Sequence, residues 1–249
     1  MKKQLLLLAA MALALNLTPA HGQLAPRGPR FDASLSKLFG DNSAFSAVLE
    51  FQTKDGSSGE SMGMPGKIAF LDGKSRFEMD MTQLKGGKMP PEAAAQMKAM
   101  GMGDMIIISR PDKKLAYMIY PGMQAYVENE TKDSEDPKAA DQWKIETTEL
   151  GKETAQGHPC VKNKVIVTDD KGVKHESTVW NATDLKKFPV KIETTERNTE
   201  VTMLFKEIKL AKPDGTLFDA PKDFKRYDNM QSMMQEEMMK RAGGGLPNR

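Results

Sequence analysis

The stretch VKHESTVWNATDLKKFPVKIETTERNTEVTMLF, Val173 to Phe205, decides the fold. It divides into a strand from Val173 to Trp180, a corner at Asn181 to Lys187 and a strand from Phe188 to Thr195. A tight turn at Arg197-Asn198-Thr199 then leads into a last strand from Glu200 to Leu210. In the middle strand Val190, Ile192 and Thr194 project to one side, and Lys191, Glu193 and Thr195 to the other. A period of two marks a strand with one dry face and one wet face, and such short connections imply an antiparallel meander. In the last strand Val201, Met203 and Phe205 share a parity that Ile208 and Leu210 break, so a bulge near Lys206 is expected to return the latter pair to the core.

The same grammar recurs toward the N-terminus. Strands are expected at Phe45 to Gln52, Lys67 to Leu71 and Ser75 to Met81, the last two joined by Asp72-Gly73, a strong two-residue turn signal. Met105 to Ser109 and Leu115 to Tyr120 flank Arg110-Pro111-Asp112-Lys113-Lys114, and Pro121-Gly122 leads into Ala125 to Glu128. Strands at Trp143 to Leu150 and Val161 to Thr168 complete the series, separated by a turn at Gly151 to Gly157. Pro90-Pro91-Glu92 opens a short Ala-rich helix to Met100. A second helix runs from Asp228 to Arg241 with Met230, Met233, Met234 and Met238 on one side, and a third, very short one falls within Phe31 to Phe39. Leu217-Phe218 with Pro221 reads as an apolar plug. The fold class is therefore α+β, with about ten strands in largely hairpin order.

Lys2 and Lys3 precede an apolar run from Leu5 to Leu17, too short to span a bilayer, and small residues follow at Ala20 and Gly22. Residues 1–22 read as a signal peptide. Residues 23–44 form a leader with a short helix, 45–225 the sheet domain, and 226–249 a Met-rich helix and tail. A periplasmic protein is expected, without a lipid anchor because no cysteine lies near the cleavage site, and without an integral membrane segment.

The chain has 36 basic and 34 acidic residues, and two of the lysines, Lys2 and Lys3, lie in the expected signal peptide, so the remainder is near neutral. Lysines interleave with acids and form no basic stripe, which excludes a sequence-independent nucleic-acid binder. Cys160 is the only cysteine, which rules out an internal disulfide.

No catalytic constellation stands out, and the chain is read as non-enzymatic. His158 and His175 have no cysteine or carboxylate at metal-ligand spacing, so neither a metal nor a cofactor is expected. His158-Pro159-Cys160 invites a Cys/His dyad, but nucleophile and base usually come from separate segments, and a free Cys packs mostly as a small apolar residue. Glu193, Glu196 and Glu200 read as solvated carboxylates, and Gly56-Ser57-Ser58-Gly59 does not match a nucleophile elbow. Methionine is the outlier, at 19 residues. Thioethers are Cu(I) ligands, yet they also fill irregular cores and line adaptable surfaces, and these last two roles are the stronger readings.

Several stretches together carry a family resemblance. They are Gly73-Lys74-Ser75-Arg76-Phe77-Glu78-Met79, Ile108-Ser109-Arg110-Pro111-Asp112-Lys113-Lys114 through Tyr117 and Tyr126, and Leu150-Gly151-Lys152-Glu153 through Gly157 and Cys160. Val179-Trp180 with Asp184-Leu185, Phe188-Pro189-Val190-Lys191 and Leu217-Phe218-Asp219-Ala220-Pro221 follow. Over residues 45–225 their order resembles the bacterial lipoprotein-localisation-factor (LolA/LolB-like) superfamily. Within it the chain is most similar to an uncharacterised exported family described only as a domain of unknown function.

The resemblance implies a curved antiparallel half-barrel with short helices on its concave side, able to hold an acyl chain, lipid or lipoprotein-like ligand. One alternating set from each strand would line it: Phe77, Met79, Tyr117, Ile119, Ile145, Val190, Ile192, Met203 and Phe205, with Met97 and Met100 from the inserted helix. The alternative is a structural or interaction protein docking on an envelope protein through its Met-rich C-terminal helix.

Overall fold

The computed structural model describes residues 33–86, 90–131, 143–196 and 198–243. The expected signal peptide, most of the leader, the Arg197 turn position and the end of the tail lie outside them. Three helices, α1 (Ala33–Lys37), α2 (Pro91–Ala99) and α3 (Met230–Gly243), accompany one open, curved sheet of 12 strands.

The strands are β1 (Ala44–Asp55), β2 (Ser61–Leu71), β3 (Lys74–Asp80), β4 (Asp104–Arg110), β5 (Leu115–Tyr120) and β6 (Ala125–Glu130), then β7 (Lys144–Ala155), β8 (His158–Thr168), β9 (Lys174–Ala182), β10 (Pro189–Glu196), β11 (Thr199–Lys209) and β12 (Lys225–Tyr227). Their order across the sheet is β12-β6-β5-β4-β3-β2-β1-β11-β10-β9-β8-β7.

Two runs of hairpins, β1 to β6 and β7 to β11, are therefore joined along one seam, β1 against β11. There Ser46 lies opposite Lys209 and Asp55 opposite Thr199. Turn chemistry builds each run. Asp72 and Gly73 both adopt positive φ (49° and 83°) between β2 and β3, the geometry that a two-residue hairpin of right-handed twist requires. The β4–β5 and β5–β6 links share one design: Pro111 or Pro121 opens a 3-10 turn, and Lys114 or Gln124 closes it in the left-handed region. The bulge falls where parity demanded it. Ser46 pairs Lys209 but Val48 pairs Lys206, with Glu207 at φ 51°, and Ile208 and Leu210 pack against the core.

Strand number and helix placement depart from expectation. β12 is three residues long and lies parallel on β6, too short to show a period. β2 begins at Ser61, six residues before the expected Lys67, through Met62-Gly63-Met64-Pro65. Pro65 is tolerated because β3 pairing begins only at Gly66, which leaves the side that lacks an N–H without a ladder. β7 does not stop at Leu150 but continues through a bulge at Glu149/Gly151. Among the described residues the helices cover the inner face unequally, α1 with Leu35 buried in its core. α2 contributes no buried residue, and α3 sits against β6 and β12 with Met233 fully buried.

The main core lies on the inner face, and the turn that follows α1 anchors it through Phe39, 2% exposed. Its ring meets Phe45 at 4.8 Å and Phe70, Phe188 and Phe205 each at 5.6 Å between centroids. These partners come from β1, β2, the corner before β10, and β11, so one side chain bridges both hairpin runs across the seam. A smaller core on the outer face gathers Ala69, Leu71, Ile108, Tyr117 and Ile119 under Phe218, the expected plug. Arg110 pins it. Its guanidinium donates in fork geometry to Asp112 (2.9 and 2.8 Å), to the Phe218 carbonyl at 3.1 Å, and to Asp219.

Truncating Phe39 to Ala removes a ring from the junction of four others and leaves a cavity, so unfolding stability should fall by about 3–5 kcal/mol. Urea denaturation followed by circular dichroism measures it, and a loss below about 1 kcal/mol would show that the seam does not depend on this ring.

The hydrogen bond from Arg110 holds the Asp112 carboxyl below its usual range. A depressed folded pKa means that the pair stabilises fully at neutral pH and that its contribution is lost as pH falls through that value. Asp112 is about half exposed, so screening limits the effect. Arg110→Gln should cost about 1–2 kcal/mol at pH 7, and the gap from wild type should close below about pH 4. A gap that widens on acidification would contradict this origin.

Candidate functional site

The expected lining residues do not form one surface. Phe77, Met79, Val190, Ile192, Met203 and Phe205 share the inner face and are buried in the main core, with Met97 half-buried against it. Met100 is half-buried at the end of α2.

Tyr117 and Ile119 belong to the other face. In β5 it is Met118 and Tyr120 that reach the main core, while Tyr117 and Ile119 pack beneath Phe218. Both parities of β5 are apolar, so the alternation that fixes a face elsewhere is silent here. Burial pushes the Tyr120 hydroxyl up to about 12. Ile145 is 46% exposed, because β7 is an edge strand with cover on neither side.

Two open grooves mark the molecule. The first, about 300 Å³, is polar and is lined by Glu50, Gln52, Lys54, Ser61, Lys85 and Glu200 among others. Hydrogen bonding from Lys206 holds the Glu50 carboxyl below its usual range, and Lys85 lies 3.6 Å away. These charges neutralise one another.

The second groove, about 490 Å³, is more apolar. Val48, Pro65, Met79, Met105, Ile106 and Pro121 line it, with Lys67, Glu78, Asp80 and Asp104 as its charged members. It forms where β2 offers Gly66 in place of a side chain. A Cβ at Gly66 would fall 2.4 Å from the Glu78 carbonyl and 2.6 Å from the Phe77 ring, so the position cannot be filled without moving strand backbone. Gly66 lines the groove together with Met79 and Met105, two core methionines. Asp80 accepts from Thr82 and Gln83, which keeps its carboxyl below the usual range.

Of the predicted lining only Met79 enters this groove. Val48, Pro65, Met105, Ile106 and Pro121 were not singled out from the sequence, because they meet only when three strands and a turn are brought into register. The one available signal was Pro65-Gly66, which reads as loop punctuation and instead marks thin backbone inside a strand.

His158 and Cys160, two residues apart on β8, lie on the same side of the strand but do not work together. The His158 ring meets Asp184 at 2.9 Å and depresses that carboxyl, whereas the thiol donates to the carbonyl of His158 at 3.3 Å. Burial pushes the thiol pKa up, the reverse of an activated nucleophile. Among the described residues no group of three or more His, Cys, Asp or Glu is placed to hold a metal ion.

The solved structures similar to this chain include the LolA superfamily protein NE2245 from Nitrosomonas europaea, at 7% identity over 76% of this chain and 96% of that one, with a TM-score of 0.39. MucB in the Pseudomonas aeruginosa MucA/MucB complex aligns at 14% identity over 78% and 62%, with a TM-score of 0.38. The Mycobacterium tuberculosis lipoprotein LppX aligns at 8% over 71% and 93%, with a TM-score of 0.38. Likenesses at such TM-scores carry nothing about ligand or activity. No curated protein matches the sequence. A family model does match, from Gly66 at the floor of the groove to Phe188 at the aromatic junction. Residues 66–188 match the model of the family described as Domain of unknown function (DUF4412).

Proposed function

We propose that the protein is a non-enzymatic binder or carrier of a lipophilic ligand and that the groove at Gly66 is its binding site. The observation that carries this reading is the groove's size and lining. About 490 Å³ falls within the range of small-molecule sites, and six apolar residues line it, two of them adaptable thioethers. Burial of a single acyl chain at about 25 cal/mol per Å² supports micromolar affinity after the costs of association.

The charged members refine the ligand. Glu78, Asp80 and Asp104 against Lys67 alone disfavour a free fatty-acid anion and suit an amphiphile with a neutral or zwitterionic head. The Lys2-Lys3 and Leu5–Leu17 leader supports export to the periplasm. Among the described residues no helix is long and apolar enough to cross a membrane.

A second reading rests on α3. Met238 and Met239, in its C-terminal half, are 69% and 61% exposed, a surface that an envelope protein could cover.

Titration of the mature protein with lysophosphatidylcholine, read by displacement of an environment-sensitive dye, tests the site. Micromolar binding is expected. Val48→Lys and Ile106→Lys, both at half-exposed lining positions, should weaken it at least about tenfold, and Leu217→Lys on the far side of the plug should leave it unchanged. Oleate should bind more weakly than the zwitterion. Absence of binding by wild type, or equal binding by all variants, would sink the groove reading, and loss of a pulled-down envelope partner only on Met238→Lys/Met239→Lys would favour α3.

A further inference from the structure

The two edges of the sheet are finished differently. At one, β12 is only three residues long and α3 packs beside it. At the other, β7 runs for 12 residues, pairs among the described residues with β8 alone, and is exposed on both faces. Such an edge presents unpaired N–H and C=O groups to any strand that fits.

The edge is not uniform. The bulge at Glu149/Gly151, with Gly151 at φ 142°, breaks the ladder, and beyond it Glu153 is engaged by Trp180 and Lys162. The half from Lys144 to Glu149 remains regular and unengaged. Its apolar Ile145 is 46% exposed on the inner face, and among the described residues neither Lys144 nor Glu146, its outer-face neighbours, has an ion-pair partner.

We propose that this half of β7 pairs antiparallel with the same half of β7 in a second copy of the chain, about a two-fold axis through Ile145 and perpendicular to the sheet. Residues directly opposed in an antiparallel pair project to the same face, so a two-fold register must match residues of like parity. Centring on Glu146 sets that carboxylate against itself, and centring on Thr147 sets Ile145 against Glu149. Centring on Ile145 sets the two isoleucines together, Lys144 against Glu146 on both sides, and Trp143 against Thr147. Lys144-Ile145-Glu146 is its own antiparallel complement, in charge and in hydropathy. Five residues from each copy bury far less than the roughly 1,200 Å² of a standard interface, so the dimer is weak and depends on concentration and salt.

Sedimentation velocity of the mature chain from about 1 to about 500 µM tests the pairing. Wild type should dimerise in the upper part of that range. Lys144→Glu opposes two carboxylates on each side of the axis and should weaken dimerisation at least about tenfold, and adding Glu146→Lys should restore it. As a second measurement, Ile145→Cys in a Cys160→Ala background should form an interchain disulfide on mild oxidation, whereas Leu150→Cys should not. A monomer at every concentration, a dimer indifferent to the single swap, or equal cross-linking at both positions would overturn the proposal. So would capture of a foreign base-aliphatic-acid strand peptide by a chain that stays monomeric.

Discussion

The pairing of β1 with β11 is the constraint on which the rest of the structure depends. Within each run the connections are short except for residues 81–103 between β3 and β4, whereas the seam joins residues about 150 positions apart, Asp55 with Thr199 and Ser46 with Lys209. Loop closure of that length is costly, and backbone hydrogen bonds in water return little net free energy. The seam therefore needs a dry, well-packed junction, which Phe39 and the four rings around it provide. The short segment from Ala33 to Phe39 does for this seam what a covering layer of helices does in other α+β folds.

The two faces then divide the labour. Most of the outer face is wet and laced with ion pairs such as Lys191–Glu193 at 2.7 Å along β10 and Lys164–Glu176 at 2.8 Å between β8 and β9, each of small energetic weight. Where the plug crosses, the same face becomes apolar, and Arg110 satisfies both the Phe218 carbonyl and two carboxylates at its border. This second core takes one parity of β4 and β5, while the other parity of the same strands serves the first. A sheet used on both faces in this sector leaves no room for a lining drawn from every strand.

Methionine has a visible physical role in that arrangement. Met64, Met79, Met81 and Met105 are buried in the inner core near the groove, and Met97, Met102, Met118 and Met123 pack against it half-buried. Unbranched thioethers fill such a border between core and surface with little strain and repack around different shapes, as the proposed lipophilic ligand would require. Helix α2, with no buried residue, leaves this sector lightly covered.

The sequence by itself determined the strands, their faces and most turns, because those are local: a period of two along Val190 to Thr195, Asp72-Gly73 at a hairpin, a parity break that required a bulge beside Lys206. It determined equally that Cys160 stays unpaired and that Phe218 plugs. Only the tertiary structure decided what depends on neighbours in space. Tyr117 and Ile119 went to the outer core because β5 is apolar on both sides and the partner that chooses between them, Phe218, lies a hundred residues away. Ile145 became exposed because β7 fell at an edge, a position set by strand order and not by its own residues. Pro65 became strand because β1 supplies the pairing that β3 begins only at Gly66, and both residues came to line a groove. Periodicity reports how a residue faces its own strand, and only the assembled sheet reports what waits on that side.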